Sequence, residues 1–365
     1  MDETSIKKIT TLSKYLNKKI PKLWLKYIPI TVTLVPNQSL KSIINNDWWV
    51  MIRKLIIIEN EYINEYPPNL THLTFRGDFN QKVDNLPQSL THLTFIKNFN
   101  QPVDLRYLNS LTHLTFGYDF NQTVDNLPQN LTHLTFGHNF NQKIDDLSKS
   151  LTHLTFGENF NQKVNLRYLN NLTHLKFRWE FNQNVDKLPQ SLIHITFGYN
   201  FNQSVDLRYL NNLTHITFGW KFNQSVNNLP QSLTHLKFGN SFNQPVNNLP
   251  QSLTELTFGW DFNQNVDLRY LNNLTHLTFG ENFNQSVDNL PQSLTHLTFG
   301  RNFNQSVDNL PQSLTHLEFG FHFNQKVDNL PQSLTHIAFG FHFNQSVDNL
   351  PQRLTHIAFH THYFQ

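Results

Sequence analysis

The sequence predicts a β-rich repeat solenoid, and three observations lead to this fold class. The hexapeptide Leu-Thr-His-Leu-Thr-Phe, or a close variant, occurs fifteen times between Leu70 and Phe359. The string Phe-Asn-Gln, followed by any residue and then Val or Ile, occurs fourteen times from Phe79 onward. Successive copies start 20 or 21 residues apart, and this period is too short for a strand, a full helix and two turns.

One repeat, from Leu131 to Leu151, shows how the chain is expected to run. His133 and Thr135 alternate with apolar residues, which is typical of a short strand with one buried face. The positions expected in the core are Leu131, Leu134, Phe136, Phe140, Ile144 and Leu147. One repeat buries too little apolar surface to offset its own chain entropy, so stacked neighbours must stabilise it.

The segment that leads back to the next strand has two forms. Most repeats read Asp-Asn-Leu-Pro-Gln-Ser-Leu, and the proline favours an extended return. The four 21-residue repeats instead carry Leu-Arg-Tyr-Leu-Asn, starting at Leu105, Leu166, Leu207 and Leu268. The added residue and the better helix formers predict a short helical turn in these four.

Residues 1–69 depart from the repeat frame. Near-helical spacing is shown by Ile6, Ile9, Leu12 and Leu16, with lysines between them. Residues 28–35 are predicted to form a strand, and residues 52–57 repeat the spacing of the hexapeptide. We interpret residues 1–69 as an N-terminal cap with a basic helix and at least one degenerate repeat, and residues 70–365 as a solenoid of about 15 units.

These motifs resemble two repeat families. The spacing L-x-x-L-x-L-x-x-N with a short return resembles a leucine-rich repeat. More specifically, Phe-Asn-Gln-x-Val, Leu-Pro-x-Ser-Leu and Leu-x-Phe-Gly together resemble the FNIP repeats of amoebae and giant viruses, over residues 70–359. The resemblance implies a leucine-rich-repeat-like fold of 20–21-residue units, each with one short parallel strand on a concave face and an extended or short-turn return.

Members of this family often join an F-box to the repeats, which implies a Skp-type adaptor of a ubiquitin ligase as a partner. Residues 10–17 faintly resemble the last part of an F-box, whose Leu-Pro opening is absent here. Residues 1–69 are therefore either a plain cap or a cap that holds an F-box remnant.

Composition excludes several classes of function. Charged residues make up 15% of the chain and the net charge is +2, so no nucleic-acid partner is expected. The chain has no cysteine and no apolar run of about 18 residues, so neither a thiolate metal site nor a membrane span is expected. Neither a cofactor nor enzyme activity is expected, because no nucleophile–base pair, phosphate loop or acidic pair lies outside the repeats.

The chain is expected inside the cell, in the cytoplasm, or in the host cell if the protein is viral. No secretory signal is apparent in the first 30 residues. Glycosylation sequons such as Asn202-Gln203-Ser204 recur at positions that we expect to be packed, where a glycan would block folding.

Histidine occupies the third hexapeptide position in fourteen of fifteen repeats, with Glu255 as the exception. These side chains are expected to form a column on the concave face, about 4.8 Å apart. The column comprises His72, His92, His113, His133, His153, His174, His194, His215, His235, His276, His296, His316, His336 and His356. It is either a solvated product of duplication or a binding surface that responds to metal ions or becomes charged near pH 6; no closed metal site is expected.

The two positions before each Phe-Asn-Gln vary while their surroundings repeat. The first of them is aromatic at Tyr118, Trp179, Tyr199, Trp220, Trp260, Phe321 and Phe341. An exposed stripe of Trp and Tyr is typical of a protein-binding surface, although drift in a tolerant loop would also produce variation. The sequence therefore predicts a non-enzymatic protein-interaction scaffold, with an F-box-type substrate receptor as one version and a histidine-column sensor as the alternative.

Overall fold

The computed structural model describes residues 30–32, 49–50, 52–57 and 65–359. The predicted basic helix and the F-box-like stretch lie outside these residues. The chain divides into two compact units, residues 1–172 and 173–365. The sequence-based division into residues 1–69 and 70–365 remains a prediction.

Unit 1 contains one short strand per repeat, and neighbouring strands pair in parallel. Each histidine pairs with the histidine of the next repeat, as in His72 with His92. Lys54 pairs with His72, so residues 54–57 continue the register of the hexapeptide toward the N-terminus. The strands are β1 (Ile30–Val32), β2 (Lys54–Ile57), β3 (His72–Phe75), β4 (His92–Phe95), β5 (His113–Thr115), β6 (His133–Thr135) and β7 (His153–Thr155).

Unit 2 repeats this arrangement with ten parallel strands among its described residues. They are β8 (His174–Lys176), β9 (His194–Thr196), β10 (His215–Thr217), β11 (His235–Lys237), β12 (Glu255–Thr257), β13 (His276–Thr278), β14 (His296–Thr298), β15 (His316–Glu318), β16 (His336–Phe339) and β17 (His356–Phe359). Each unit is a parallel β-solenoid with turns about 20 residues apart, which confirms the predicted fold class.

The core of each unit is built from leucines and two columns of phenylalanine. In unit 2, the Phe218 and Phe222 rings stack with their centroids 3.8 Å apart, and Phe222 lies 6.1 Å from Phe242 in the next repeat. All six core positions predicted for the repeat from Leu131 to Leu151 are buried. The identical side chains of successive repeats therefore pack on one another. This packing supplies the folding stability that a single repeat lacks.

The return segments contain turns rather than helices. In the proline type, the Leu90 N–H donates to the Pro87 carbonyl at 3.1 Å. The helical turn predicted for the 21-residue repeats is wrong, because residues 65–359 contain no helix. Two consecutive turns replace it: the Leu108 N–H donates to Leu105 O, and the Leu111 N–H donates to Leu108 O, both at 3.0 Å.

A contact between repeats explains why turns suffice there. The hydroxyl of Tyr107 accepts a hydrogen bond from the Leu86 N–H of the preceding repeat at 2.9 Å. Tyr168, Tyr209 and Tyr270 accept equivalent bonds at their own positions. The added residue thus brings a tyrosine onto a backbone N–H that would otherwise lack a partner.

Within the described residues, no helix is long and apolar enough to cross a membrane.

Candidate functional site: the strand face and the aromatic rim

Glycine follows the last phenylalanine of most hexapeptides because the backbones of neighbouring repeats approach closely there. A Cβ atom on Gly219 would lie 1.6 Å from the carbonyl oxygen of Gly198, and one on Gly239 would lie 1.8 Å from that of Gly219. No side chain fits at these distances unless the neighbouring repeat moves, and the repeats that carry Arg76, Ile96 or Arg178 at this position are exceptions. The residue directly after this position projects from the array, and we call these residues the rim positions.

The aromatic side chains predicted as a binding surface occupy rim positions, and most are half exposed. Tyr118, Trp179, Trp220, Trp260 and Phe341 each expose between 47% and 55% of their surface. Tyr199 and Phe321 are less exposed. Large apolar side chains at this exposure on a regular array offer area to a partner.

Within each unit these rings also stack on their neighbours. The rings of Trp179 and Tyr199 lie 4.4 Å apart and 3° from parallel, and Tyr199 stacks on Trp220 at 5.4 Å. Phe321 and Phe341 stack at 5.2 Å. The rim therefore combines packing between repeats with exposed ring edges, and the stacking holds the rings in fixed orientations.

Sequence reasoning missed the residues that frame the rim. The Lys221 ammonium lies 5.7 Å from the centre of the Tyr199 ring, and the Arg301 guanidinium lies 5.0 Å from that of Phe321. His322 and His342 stack on each other at 5.2 Å beside Phe321 and Phe341. The variability of the second position before Phe-Asn-Gln was the signal that could have identified Lys221, His322 and His342.

The predicted histidine column lies on the outward face of the strands, which we call the strand face. In unit 1 the imidazoles from His72 to His153 stack continuously with centroids 4.1–4.3 Å apart. In unit 2 they form one stack from His174 to His235 and another from His276 to His356. Glu255 separates these two stacks, and its Oε1 lies 3.4 Å from His235 Nε2.

The threonine before each histidine fixes the imidazole tautomer. The Thr91 hydroxyl donates to the Thr71 carbonyl at 3.0 Å, and Thr91 Oγ1 lies 2.9 Å from His92 Nδ1. Because threonine has one hydroxyl hydrogen, Oγ1 must accept from the Nδ1–H, which leaves Nε2 unprotonated in the neutral ring. Where Ile193 replaces the threonine, the buried Nδ1 of His194 has no hydrogen-bond partner.

Stacking and partial burial disfavour the charged form of these histidines. Burial, and then the charges that His72 and His113 would carry, lower the pKa of His92 to about 4. Burial is also the largest cause of the lowered pKa values of several other column members, followed by the charge of Lys54 for His72 and by neighbouring histidines for the rest: His72, His194, His215, His296 and His316. Among these six histidines each protonated ring opposes protonation of the next, while the expectation that the column as a whole becomes charged near pH 6 stays a prediction.

We expect the stability of the array to fall as the pH is lowered from about 6.5 toward 4. In the unfolded chain His92 has a pKa near 6.5, whereas in the folded protein its pKa is about 4. Between these two pH values the unfolded state binds a proton that the folded state does not, and this favours unfolding. Urea unfolding midpoints at pH 7.5, 5.5 and 4.5 measure this effect. His92→Gln should flatten the slope between pH 6.5 and 4, and a wild-type midpoint that does not change with pH would contradict the lowered pKa values.

The residues that the structure describes provide no group of three or more His, Cys, Asp or Glu side chains arranged to hold a metal ion. Parallel rings in a stack direct their nitrogens side by side rather than toward one point, whereas zinc requires converging ligands. Where a threonine hydroxyl accepts from Nδ1–H, the strand face therefore presents the imidazole Nε2 as a hydrogen-bond acceptor.

The asparagine of Phe-Asn-Gln forms a structural ladder. Asn243 Oδ1 accepts from the Asn263 N–H at 3.0 Å and from Gln264 Nε2 at 3.1 Å. The Asn243 N–H in turn donates to Asn223 Oδ1 at 3.0 Å. The same pattern recurs along each unit, so these asparagines satisfy backbone groups of the turns.

Asn243→Ala is expected to destabilise unit 2 by about 1–3 kcal/mol, because it leaves the Asn263 N–H without its acceptor. Asn240→Ala is a matched control, since the side chain of Asn240 makes no hydrogen bond within residues 65–359. Urea denaturation of both variants measures the difference. Equal midpoints for the two would show that the ladder does not contribute to stability.

Comparison with known structures first defines the class of protein. Both units have the leucine-rich-repeat type of solenoid. CroV588, a giant-virus protein described as a novel circular LRR structure, superposes with a TM-score of 0.76 and 45% identity. The match covers 84% of this chain and 56% of CroV588, so the chain spans little more than half of that protein. The Toll–Spätzle complex of Drosophila superposes with a TM-score of 0.52 and 12% identity, covering 84% of this chain and 53% of that one.

The family follows from the repeats themselves. The FNIP repeat model matches residues 63–98, 79–119, 99–139, 123–146, 140–166, 181–206, 211–241, 225–261, 242–267, 286–322 and 323–362. The chain therefore belongs to the FNIP repeat family, as its motifs predicted. No curated protein matches the sequence significantly.

Proposed function

We propose that this chain is a non-enzymatic scaffold that binds protein partners through the aromatic rim positions. The observation that carries the proposal is a set of half-exposed rings at the rim positions Tyr118, Trp179, Trp220, Trp260 and Phe341, all of which except Trp260 stack on a neighbouring ring. Aromatic side chains that are already ordered lose little entropy on binding and supply large contact areas. The leucine-rich-repeat-like fold is itself typical of protein–protein interaction, although fold alone does not establish function.

Proximity labelling in cells tests this proposal. Wild type is compared with a variant in which Trp179, Trp220 and Trp260 are all replaced by alanine. We expect the variant to lose most of the labelled partners, because three exposed anchors are removed. The urea midpoint of the variant must stay close to that of the wild type. A folded variant that keeps the full set of partners would reject the rim as the binding surface.

The ubiquitin-ligase version of the proposal has a separate test. The F-box-like residues 10–17 lie outside the described residues, so this version rests on the family resemblance alone. Pull-down of the full chain with a Skp-type adaptor tests it, with a chain lacking residues 1–29 as the control. Absence of binding by the full chain would remove this version and leave the scaffold proposal intact.

The strand face supports a second candidate, a proton-responsive binding surface. Its supporting observation is the continuous imidazole stacking, in which the charge of one ring acts on the next. Partner binding measured between pH 8 and 5 tests it, with His276, His296 and His316 replaced by glutamine in the comparison variant. Identical pH profiles for the two proteins would reject this candidate.

We place the scaffold inside the cell because sequon asparagines take part in the ladder. Asn202 Oδ1 accepts from the Asn223 N–H at 2.9 Å and from Gln224 Nε2 at 3.1 Å. A glycan is linked through Nδ2 of the same amide, where it would crowd the packed turn that these bonds hold together. Fractionation of expressing cells measures the compartment, and recovery of an N-glycosylated chain would contradict this placement.

A further inference from the structure

The rim of unit 2 contains two sets of three successive rim residues in which tryptophans stand at both ends. One set has an aromatic ring at its middle position and the other does not. In the first set, the Tyr199 ring lies between the Trp179 ring at 4.4 Å and the Trp220 ring at 5.4 Å. In the next two repeats the rim positions are Asn240 and Trp260. The array thus contains Trp-Tyr-Trp followed by Trp-Asn-Trp, and the second set lacks a ring at its middle position.

The backbone keeps the same spacing through both arrangements. The Ser241 N–H donates to the Trp220 carbonyl, and the Asp261 N–H donates to the Asn240 carbonyl, both at 2.8 Å. Two repeats at about 4.8 Å each place the Trp220 and Trp260 backbones about 10 Å apart. This is the separation that a single ring fills at Tyr199. We call the space above Asn240, between the side chains of Trp220 and Trp260, the slot.

Among the described residues, neither wall of the slot is covered by another ring on the side that faces Asn240. Trp220 stacks on Tyr199 on its other side, and Trp260 makes no ring contact with residues 65–359. The two tryptophans are 47% and 49% exposed. The Asn240 amide makes no hydrogen bond within residues 65–359, so it has both a donor and an acceptor to offer at the floor.

Charge and shape restrict what the slot can accept. Two indole faces about 10 Å apart match a planar aromatic group, and an amide at the floor can pair with an indole N–H or a phenol hydroxyl. The Lys221 ammonium lies over the Tyr199 ring, and Asp261 Oδ1 accepts a hydrogen bond from Asn282 Nδ2, so neither residue offers a positive charge at the slot to hold a phosphate backbone. A protein side chain therefore fits better than a nucleobase.

We propose that the slot binds a tryptophan or tyrosine side chain of a partner protein, which completes the interrupted aromatic stack. This inference rests on the proposed rim function and names the chemistry that the rim recognises. The partner's ring lies between Trp220 and Trp260, as the Tyr199 ring lies between Trp179 and Trp220. The Asn240 amide forms a hydrogen bond with the indole N–H or the hydroxyl of that ring.

Saturation-transfer NMR with N-acetyl-tryptophanamide as the probe tests the slot directly. Wild type is expected to bind it with a dissociation constant of about 1–10 mM, as a single-ring contact would provide. Asn240→Phe places a ring in the slot and is expected to weaken binding at least ~10-fold while keeping the array folded. Lys326→Ala is the matched control, since it removes an exposed side chain of unit 2 outside the rim and should leave probe binding unchanged.

Several results would overturn the proposal. They are no saturable binding by wild type, equal binding by Asn240→Phe, and stronger binding of adenosine monophosphate, which would point to a nucleobase. N-acetyl-leucinamide serves as the non-aromatic control, and binding equal to that of the aromatic probe would also overturn it. In proximity labelling, loss of partners by the triple tryptophan variant but not by Asn240→Phe would reject the slot alone, whereas retention by both would reject the rim function itself.

Discussion

Replacing Gly219 with alanine is expected to destabilise unit 2 by about 3 kcal/mol or more. The added Cβ would lie 1.6 Å from the Gly198 carbonyl oxygen and 2.4 Å from its carbonyl carbon. Both atoms belong to the backbone of the preceding repeat and cannot rotate away as a side chain can. The neighbouring repeats must therefore separate, which also weakens the stacking of the rings beside them.

Gly117→Ala is the graded control for this prediction. The preceding repeat carries Ile96 instead of glycine, and a Cβ on Gly117 would meet Ile96 and Lys97 backbone atoms at 2.8–2.9 Å. A smaller movement relieves this contact, so the loss of stability should be clearly smaller than for Gly219. Urea midpoints of the two variants measure the difference. Equal losses, or no loss at Gly219, would show that close backbone approach does not determine the glycine position.

Phe222→Ala is expected to cost about 3–5 kcal/mol, because it opens a cavity in the middle of the core. The Phe222 ring is fully buried and stacks on Phe218 at 3.8 Å, with Phe201 and Phe242 about 6 Å away in the adjacent repeats. These neighbours are held by their own repeats and cannot collapse into the space. The change should therefore lower the unfolding midpoint of the whole unit rather than of one repeat.

Phe341→Ala is the matched control, since Phe341 occupies a rim position and is 55% exposed. Its removal should change the free energy of unfolding by about 0.5 kcal/mol, as is usual for surface substitutions. Thermal and urea denaturation of the two variants give the comparison. Similar losses for the two phenylalanines would mean that the rim contributes to the core, against the division of roles proposed above.

The strands and the core were predictable because a short period allows few solutions. Leu134 and Phe136 alternate with His133 and Thr135, and the same alternation in fifteen copies forces parallel strands in register. The pattern of residues 52–57 likewise predicted the strand at Lys54–Ile57. Repetition thus converts a weak signal in one repeat into a reliable prediction.

The return segments and the protonation of the histidines were not predictable in the same way. The helix-forming residues after Leu105 predicted a helical turn, whereas the bond from the Leu86 N–H to the Tyr107 hydroxyl belongs to the contact between repeats. Tertiary contacts here override local preference. The lowered pKa of His92 likewise depends on burial and stacking, which arise only when neighbouring repeats pack together.

The rim was recognised from its variability, but the slot was not. The signal was present, because aligning the repeats places Asn240 between Trp220 and Trp260. Its meaning required the ring spacings at Tyr199, which show that one rim position holds one ring. The Tyr199 ring between two tryptophans thus indicates that a ring can also lie between Trp220 and Trp260.

The central claim is that the repeated frame builds the fold while the rim binds the partner. Proximity labelling of two triple variants tests it most directly: Trp179, Trp220 and Trp260 to alanine, and His276, His296 and His316 to glutamine. We expect the rim variant to lose the labelled partners at neutral pH and the strand-face variant to keep them, with both proteins folded. Loss of partners in the strand-face variant, with retention in the rim variant, would show that the strand face and not the rim binds the partner.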